Sequence, residues 1–178
     1  MKLSIPYIAG LIDGDGSFQL QVKFRDRKKK TFQINPRVQI GFKHLQKEEK
    51  LLYQVQKYFN AGKIYVSNKG KENAIIRFWT TNLDDTIKVC ELVIPFLHLK
   101  KEQAKKLLSV CNLMKSKRKK RYCKGLATSS FDIYSKTEIL KIVKIATTMN
   151  AGMQTNRFRK AKGRDTQYYV NKIKQIYA

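Results

Sequence analysis

The chain has 178 residues, 42% of them hydrophobic, and carries 38 lysines and arginines against 13 aspartates and glutamates, for a net charge of +25. That length is one domain, or one domain with a C-terminal extension, able to bury on the order of 70% of its unfolded surface. No apolar run approaches a membrane span and the N-terminal one breaks at Asp13, too soon for a signal peptide, so no membrane partner is expected and the charge points to a nucleic acid bound through counterion release.

The first element is a short helix. Ser4 is its N-cap, Pro6 sits in the first turn, and Ile8, Leu11 and Ile12 recur at helical spacing. Ala9, Gly10 and Gly14 line a side with almost no side chain, and the Gly10-to-Gly14 spacing lets two helix backbones approach closely. Gly14 and Gly16 suit the end of a helix. The stretch therefore delivers Asp13 and Asp15 to the edge of a close contact. Asp-Gly-Asp-Gly also reads as a plain turn, whereas a calcium loop fails, because Phe18 and Phe24 stand where glycine and an acid are needed. Only three acidic residues precede Glu48, and two of them are here. Carboxylates beside a polyanion repel it unless a divalent cation lies between, which points to a metal-dependent phosphodiesterase.

Two strands follow. Phe18, Leu20, Val22 and Phe24 alternate with Gln19, Gln21, Lys23 and Arg25; past a basic loop, Phe32, Ile34, Pro36, Val38, Ile40 and Phe42 alternate with Gln33, Asn35, Arg37, Gln39 and Lys43. Gln46 to Asn60 reads as a helix. A second hairpin runs through Ile64–Ser67, a turn at Asn68-Lys69-Gly70, and Ala74–Thr80. Asn82 opens another helix, which Pro95 stops. The order helix, two strands, helix, two strands, helix gives an α+β fold with a four-stranded antiparallel sheet and helices on one face. The opposite face carries Gln19, Gln21, Lys23, Arg25, Gln33, Asn35, Arg37, Gln39, Lys43, Ser67, Lys69 and Arg77, with no acid among them. These are side chains that read base edges and hold phosphates, so the face is expected to bind double-stranded DNA in the major groove.

From Ser116 the chain turns markedly basic. Lys136–Thr148 and Thr166–Tyr177 read as helices with apolar stripes at Ile139, Leu140, Val143 and Ile145 in the first, and the expected division is a core at 1–115 and a helical extension at 116–178 packed on the same domain. Cys90, Cys111 and Cys123 are odd in number and lack metal-site spacing, so they read as reduced thiols of an intracellular protein.

Tyr7 to Phe18, closing on Leu11-Ile12-Asp13-Gly14-Asp15-Gly16, resembles the signature of the LAGLIDADG homing endonucleases, with Gly14 where the family name has alanine. The resemblance implies the αββαββα core with a saddle-like sheet. It implies Asp15 as the metal-binding catalytic acid beside the backbone at Gly14, Gln46 as a residue holding solvent near the metal, and Lys100, within Pro95–Ala104, as a lysine directed at the cleavage site. Arginine is frequent in the family where Lys50 stands, and lysine lacks its planar fork. Proteins of this kind with one motif copy are homodimers, and a helix bared by small residues needs a partner in any case. The expected dimer interface is Ile8, Ala9, Gly10, Leu11 and Asp13, although Asp13 also suits the cap of a neighbouring helix end. The expected cofactor is Mg2+, with Mn2+ an acceptable substitute and Ca2+ supporting binding without cleavage.

The function these features imply is a sequence-specific DNA endonuclease that breaks both strands of a long pseudo-palindromic site. Three alternatives stay open: an RNA maturase assisting intron splicing, a DNA-binding regulator of the same fold without catalysis, and a general RNA-binding protein. Members of the family occur in organelles, chloroplast or mitochondrion, and in microbial cytoplasm.

Overall fold

A computed structural model describes residues 3–25, 31–122, 134–150 and 166–176. In order these form α1 (Ile5–Asp15), β1 (Gly16–Arg25), β2 (Thr31–Lys43), α2 (Gln46–Phe59), β3 (Lys63–Ser67), β4 (Ile75–Trp79) and α3 (Leu83–Val93). A 3-10 turn (Ile94–Phe96), α4 (Lys101–Tyr122), α5 (Lys136–Asn150) and α6 (Thr166–Ile176) complete the described chain. The sheet has four strands in the order β1-β2-β4-β3, with β4 antiparallel to both β2 and β3. The α+β class and the αββαββα order expected from the sequence are both present. No helix among the described residues is long and apolar enough to cross a membrane.

The chain forms two compact units, residues 1–19 with 36–111, and residues 20–35 with 112–178. The break in the C-terminal half falls after Cys111, and the outer half of the first hairpin groups with the C-terminal residues.

In the first unit, Ser4 caps α1 by accepting the Tyr7 amide, and Ile8, Ala9 and Ile12 are buried. α1 packs against α3 and the 3-10 turn. α2 packs on β3 and β4 through Leu52, Val55 and Phe59, with the Phe59 and Phe78 rings 6.1 Å apart. The chain leaves α2 through Asn60 in the left-handed region and Gly62 at φ 77°. A β-carbon on Gly62 would lie 2.5 Å from the Phe78 ring, so only glycine fits. The Gly62 amide donates to the Asp85 carboxylate at 2.9 Å, tying this turn to the first turn of α3. Buried Thr80 accepts the Val38 amide at 3.0 Å and lies 2.8 Å from the hydroxyl of buried Thr86, which itself donates to the Asn82 carbonyl. Cys90 and Cys111 are buried free thiols, and burial holds Cys90 above the ordinary thiol range; Cys123 lies outside the described residues.

In the second unit Leu20, Val22 and Phe32 are buried, as are Ile139, Ile142, Val143, Ala146 and Met149 of α5 and Ile173 of α6. α5 opens with a capping box: Ser135 Oγ accepts the Glu138 amide and Glu138 accepts the Ser135 amide. Lys117 pairs with Glu138 at 2.8 Å, and Tyr169 donates to the Val22 carbonyl at 2.8 Å.

Candidate active site and nucleic-acid interface

The two aspartates at the end of α1 have different surroundings. The Asp13 carboxylate accepts three backbone amides in the approach to α4: His98 at 2.7 Å, Leu99 at 3.3 Å and Lys100 at 2.9 Å. Burial by itself raises the Asp13 pKa, but those amides and the Lys100 charge outweigh it, and the carboxyl sits below its ordinary value. Asp13 is therefore a helix-entry cap held ionised. Asp15, two residues on, is exposed and takes no hydrogen bond from any described residue. Its carboxylate is the one at this helix end that is free to meet a ligand.

Lys100, expected to be directed at a cleavage site, turns its ammonium to the end of α1 that carries Asp15. Its ammonium donates to the carbonyls of Ile12 at 2.9 Å, Asp13 at 2.7 Å, Gly14 at 3.1 Å and Gly16 at 2.9 Å. These are the orphan acceptors at the C-terminus of α1, where a cation also opposes the helix dipole. Burial lowers the Lys100 pKa, and Asp13 and Asp15 work against that shift. The Gly14 carbonyl, expected to face a metal, accepts one hydrogen bond from Lys100. Gly16 has to be glycine, because a β-carbon there would lie 2.6 Å from the Ile12 backbone. Gln46, the first residue of α2, is exposed, as is Lys50 one turn later.

Of the residues expected at a dimer interface, Ile8 and Ala9 lie fully buried inside this chain's own core and cannot face a partner. They support α1 from behind. Its open side is Tyr7, Gly10, half-buried Leu11 and Gly14, and nothing lies within 4 Å of where a β-carbon on Gly10 or Gly14 would be. Leu99, 82% exposed, and Phe96, 42% exposed, add apolar surface in the segment that Asp13 caps.

The sheet turns Phe18, Leu20, Val22, Phe32, Val38, Ile40, Ile76 and Phe78 inward. Alternation puts the expected polar set on the other face. Gln19, Gln33, Asn35, Arg37, Gln39 and Arg77 are half-buried there, whereas Gln21 and Lys43 are exposed. The backbone of Lys23 and Arg25 belongs to β1, and their side chains lie outside the described residues. Lys69 is in the turn beyond β3, between left-handed Asn68 and Gly70. Arg77 lies across Gly41, its Cγ 3.2 Å from where a β-carbon would stand, and donates to Ser67 Oγ at 2.9 Å. Gln33 donates to Asn35 at 3.2 Å, and Gln19 to Ser17 at 3.0 Å.

A model of the LAGLIDADG endonuclease family matches residues 8–111, from within α1 to within α4. This chain belongs to the LAGLIDADG endonuclease family. No match is found among curated protein sequences. Among solved structures the fold is similar to the homing endonuclease I-CvuI in complex with the I-CreI target, at 17% identity and a TM-score of 0.71 over 98% of this chain and 94% of that one. It is also similar to the archaeal intron-encoded I-Vdi141I complexed with DNA, at 18% identity and 0.70 over 96% and 94%. The homing endonuclease I-TnaI matches at 20% identity and 0.66 over 99% of each chain. Against I-GzeII the match covers 84% of this chain but only 45% of that one.

The LAGLIDADG chain also places two aromatic residues on its polar sheet face that the sequence reading passed over, Tyr65 and Trp79. Tyr65 pairs with Arg77 across β3 and β4, and Trp79 pairs with Gln39 across β4 and β2. The signal was present in the alternation. Tyr65 is two residues from Ser67 and Trp79 two from Arg77, so each shares a face with a residue already assigned to it.

A divalent cation suits the donor chemistry of Asp15, a hard carboxylate oxygen with no competing hydrogen bond. No group of three or more His, Cys, Asp or Glu that could hold a metal ion exists among the described residues.

Proposed function

We propose that this chain is a sequence-specific, divalent-metal-dependent DNA endonuclease that acts as a homodimer on a long pseudo-palindromic site and breaks both strands. The observation that carries the reading is Asp15, an exposed carboxylate that accepts no hydrogen bond from any described residue, at the end of a helix with a bare side, in a chain of charge +25. Its neighbour Asp13 is committed to backbone amides, so the two acids divide into a structural one and one available to a ligand.

The homodimer is supported by the empty space over Gly10 and Gly14 and by exposed Tyr7, Phe96 and Leu99. A second copy across a twofold axis is the simplest complement to such a helix. It would bring one Asp15 from each chain to the same centre, adding the donor that one chain lacks. Mg2+, if held there by the two Asp15 carboxylates, would supply charge neutralisation at the scissile phosphate and lower the pKa of a bound water. I-CvuI has been solved with the I-CreI target in the presence of Mg, the DNA not cleaved, and with its own target in the presence of Ca, which supports the class of ion though not the cutting step.

The protein's own part is placement. Asp15 holds the ion, while Asp13 and Lys100 keep the end of α1 rigid so that the carboxylate does not wander. Gln46 is proposed to order solvent. The acid-free sheet face, with Arg37, Gln39, Lys43 and Arg77, holds the duplex in register through its major groove. Hydrolysis adds a water oxygen to phosphorus and breaks the bond to the bridging oxygen, without a covalent enzyme intermediate.

The test uses duplex DNA that joins the two sequences flanking this reading frame's intron, incubated with protein in Mg2+ and, separately, in EDTA. Cleavage of both strands in Mg2+ alone is expected. Asp15→Asn should abolish cutting yet keep binding measured in Ca2+. Normal cutting by Asp15→Asn would remove the assignment.

A further inference from the structure

On the polar face of the sheet, three side chains that the cleavage chemistry does not use form a column. Trp79 of β4 is the only tryptophan in the chain. The Arg37 guanidinium of β2 lies over it, with Cζ 4.7 Å from the ring centroid. Tyr65 of β3 stacks on it at 5.4 Å with 11° between the planes. Since β4 lies between β2 and β3, Trp79 is approached from both sides, so its ring faces are taken and do not serve as a platform for an unpaired base. The column instead orders one guanidinium before any ligand arrives.

Ordering of this kind matters for one sort of recognition more than another. A phosphate attracts any cation and needs no fixed plane. The O6 and N7 acceptors of guanine in the major groove accept a planar, two-pronged donor, and a guanidinium already held flat loses less freedom on making those two bonds. Tyr65, half exposed, fills the far side of Trp79 and keeps the indole from swinging toward β3.

We propose that Arg37 reads a guanine in the major groove and that Trp79, backed by Tyr65, is the positioning residue that fixes its guanidinium. The inference rests on the DNA-binding reading above and adds which base one side chain specifies and what holds it. In a homodimer the guanine appears twice, at positions related by the twofold axis of the site.

The test is selection of bound duplexes from a pool with a long randomised segment, in Ca2+, followed by sequencing. The full-length wild-type chain should enrich a site with guanine at one symmetric pair of positions. Arg37→Met should lose the preference at that pair alone, by about ten- to hundredfold. Trp79→Leu should relax the same pair by about three- to fivefold, and Trp79→Phe, which keeps a ring, should restore it. In free protein, Arg37→Met should move the Trp79 emission to longer wavelength by uncovering the indole, with the melting transition serving as the check on folding. An unshifted emission would mean that the column does not form in solution and would overturn the proposal. Equal weakening of Arg37→Met on all sequences, with a shallower salt dependence, would make Arg37 a phosphate contact and overturn it too. If the wild type enriches a site that Arg37→Met enriches unchanged, this inference fails while DNA recognition stands. If the wild type enriches nothing, the DNA reading fails and takes this inference with it.

Discussion

Asp13 and Lys100 cap each other's helix ends. The carboxylate at the close of α1 accepts the amides of residues 98, 99 and 100, and the ammonium of residue 100 donates to four carbonyls at the close of α1. The peptide unit that carries Asp15 lies inside this clasp. Position and stability of the end of α1 that carries Asp15 are therefore coupled.

Replacing Asp13 with alanine strips three amides of their acceptor and should cost about 1–2 kcal/mol in urea unfolding at neutral pH. Because the folded-state pKa of Asp13 is depressed, its contribution is fully present above the unfolded carboxylate value and is lost as pH falls through the folded one. The stability gap between wild type and Asp13→Ala should stay constant near neutrality and close below about pH 4.

Lys100→Met should destabilise the fold by about 1–3 kcal/mol, since four acceptors lose one shared donor. A lysine that served chemistry alone would leave the melting transition untouched. The matched comparison is Asp15→Asn, which on the proposed reading removes cleavage and should shift the transition far less, because the Asp15 carboxylate accepts no hydrogen bond from a described residue and meets Lys100 only through charge.

Gly10→Leu separates folding from assembly. Nothing lies within 4 Å of where a β-carbon on Gly10 would stand, and glycine within a helix is unfavourable by roughly 1 kcal/mol relative to alanine. The variant should melt as a monomer no less stable than the isolated wild-type fold, yet on the proposed homodimer reading sedimentation should show a dimer in the wild type alone, with cleavage lost in the variant.

Gly62→Ala tests the turn that joins α2 to the second hairpin. A positive φ and a β-carbon 2.5 Å from Phe78 oppose it together, so a loss of about 2 kcal/mol or more is expected in thermal or urea unfolding.

Much of this architecture was legible. Period-two alternation through Phe18–Val22 and Phe32–Phe42 marks the first hairpin, Asn68 and Gly70 mark the turn of the second, and Ser4, Asn82 and Pro95 punctuate the helices. What stayed hidden depends on facing. Small residues at Ala9, Gly10 and Gly14 announce a close contact but do not say which side of the helix meets its own core, and Ala9 turned inward. Tyr65 and Trp79 were passed over although their parity places them on the polar face. The Lys100 clasp joins residues 84 to 88 apart in sequence, a distance that no local pattern spans.

The grouping of residues 20–35 with 112–178 has a consequence for how the polypeptide is made. Leu20, Val22 and Phe32 are synthesised well before the segment that contains Tyr169, which hydrogen-bonds the Val22 carbonyl. A nascent chain halted after Cys111 would hold a greasy, half-finished ribbon with open strand edges, the kind of surface that recruits chaperones or self-associates. Expression of the 1–111 fragment should consequently give inclusion bodies, and co-expression of the remaining residues should bring it back into solution.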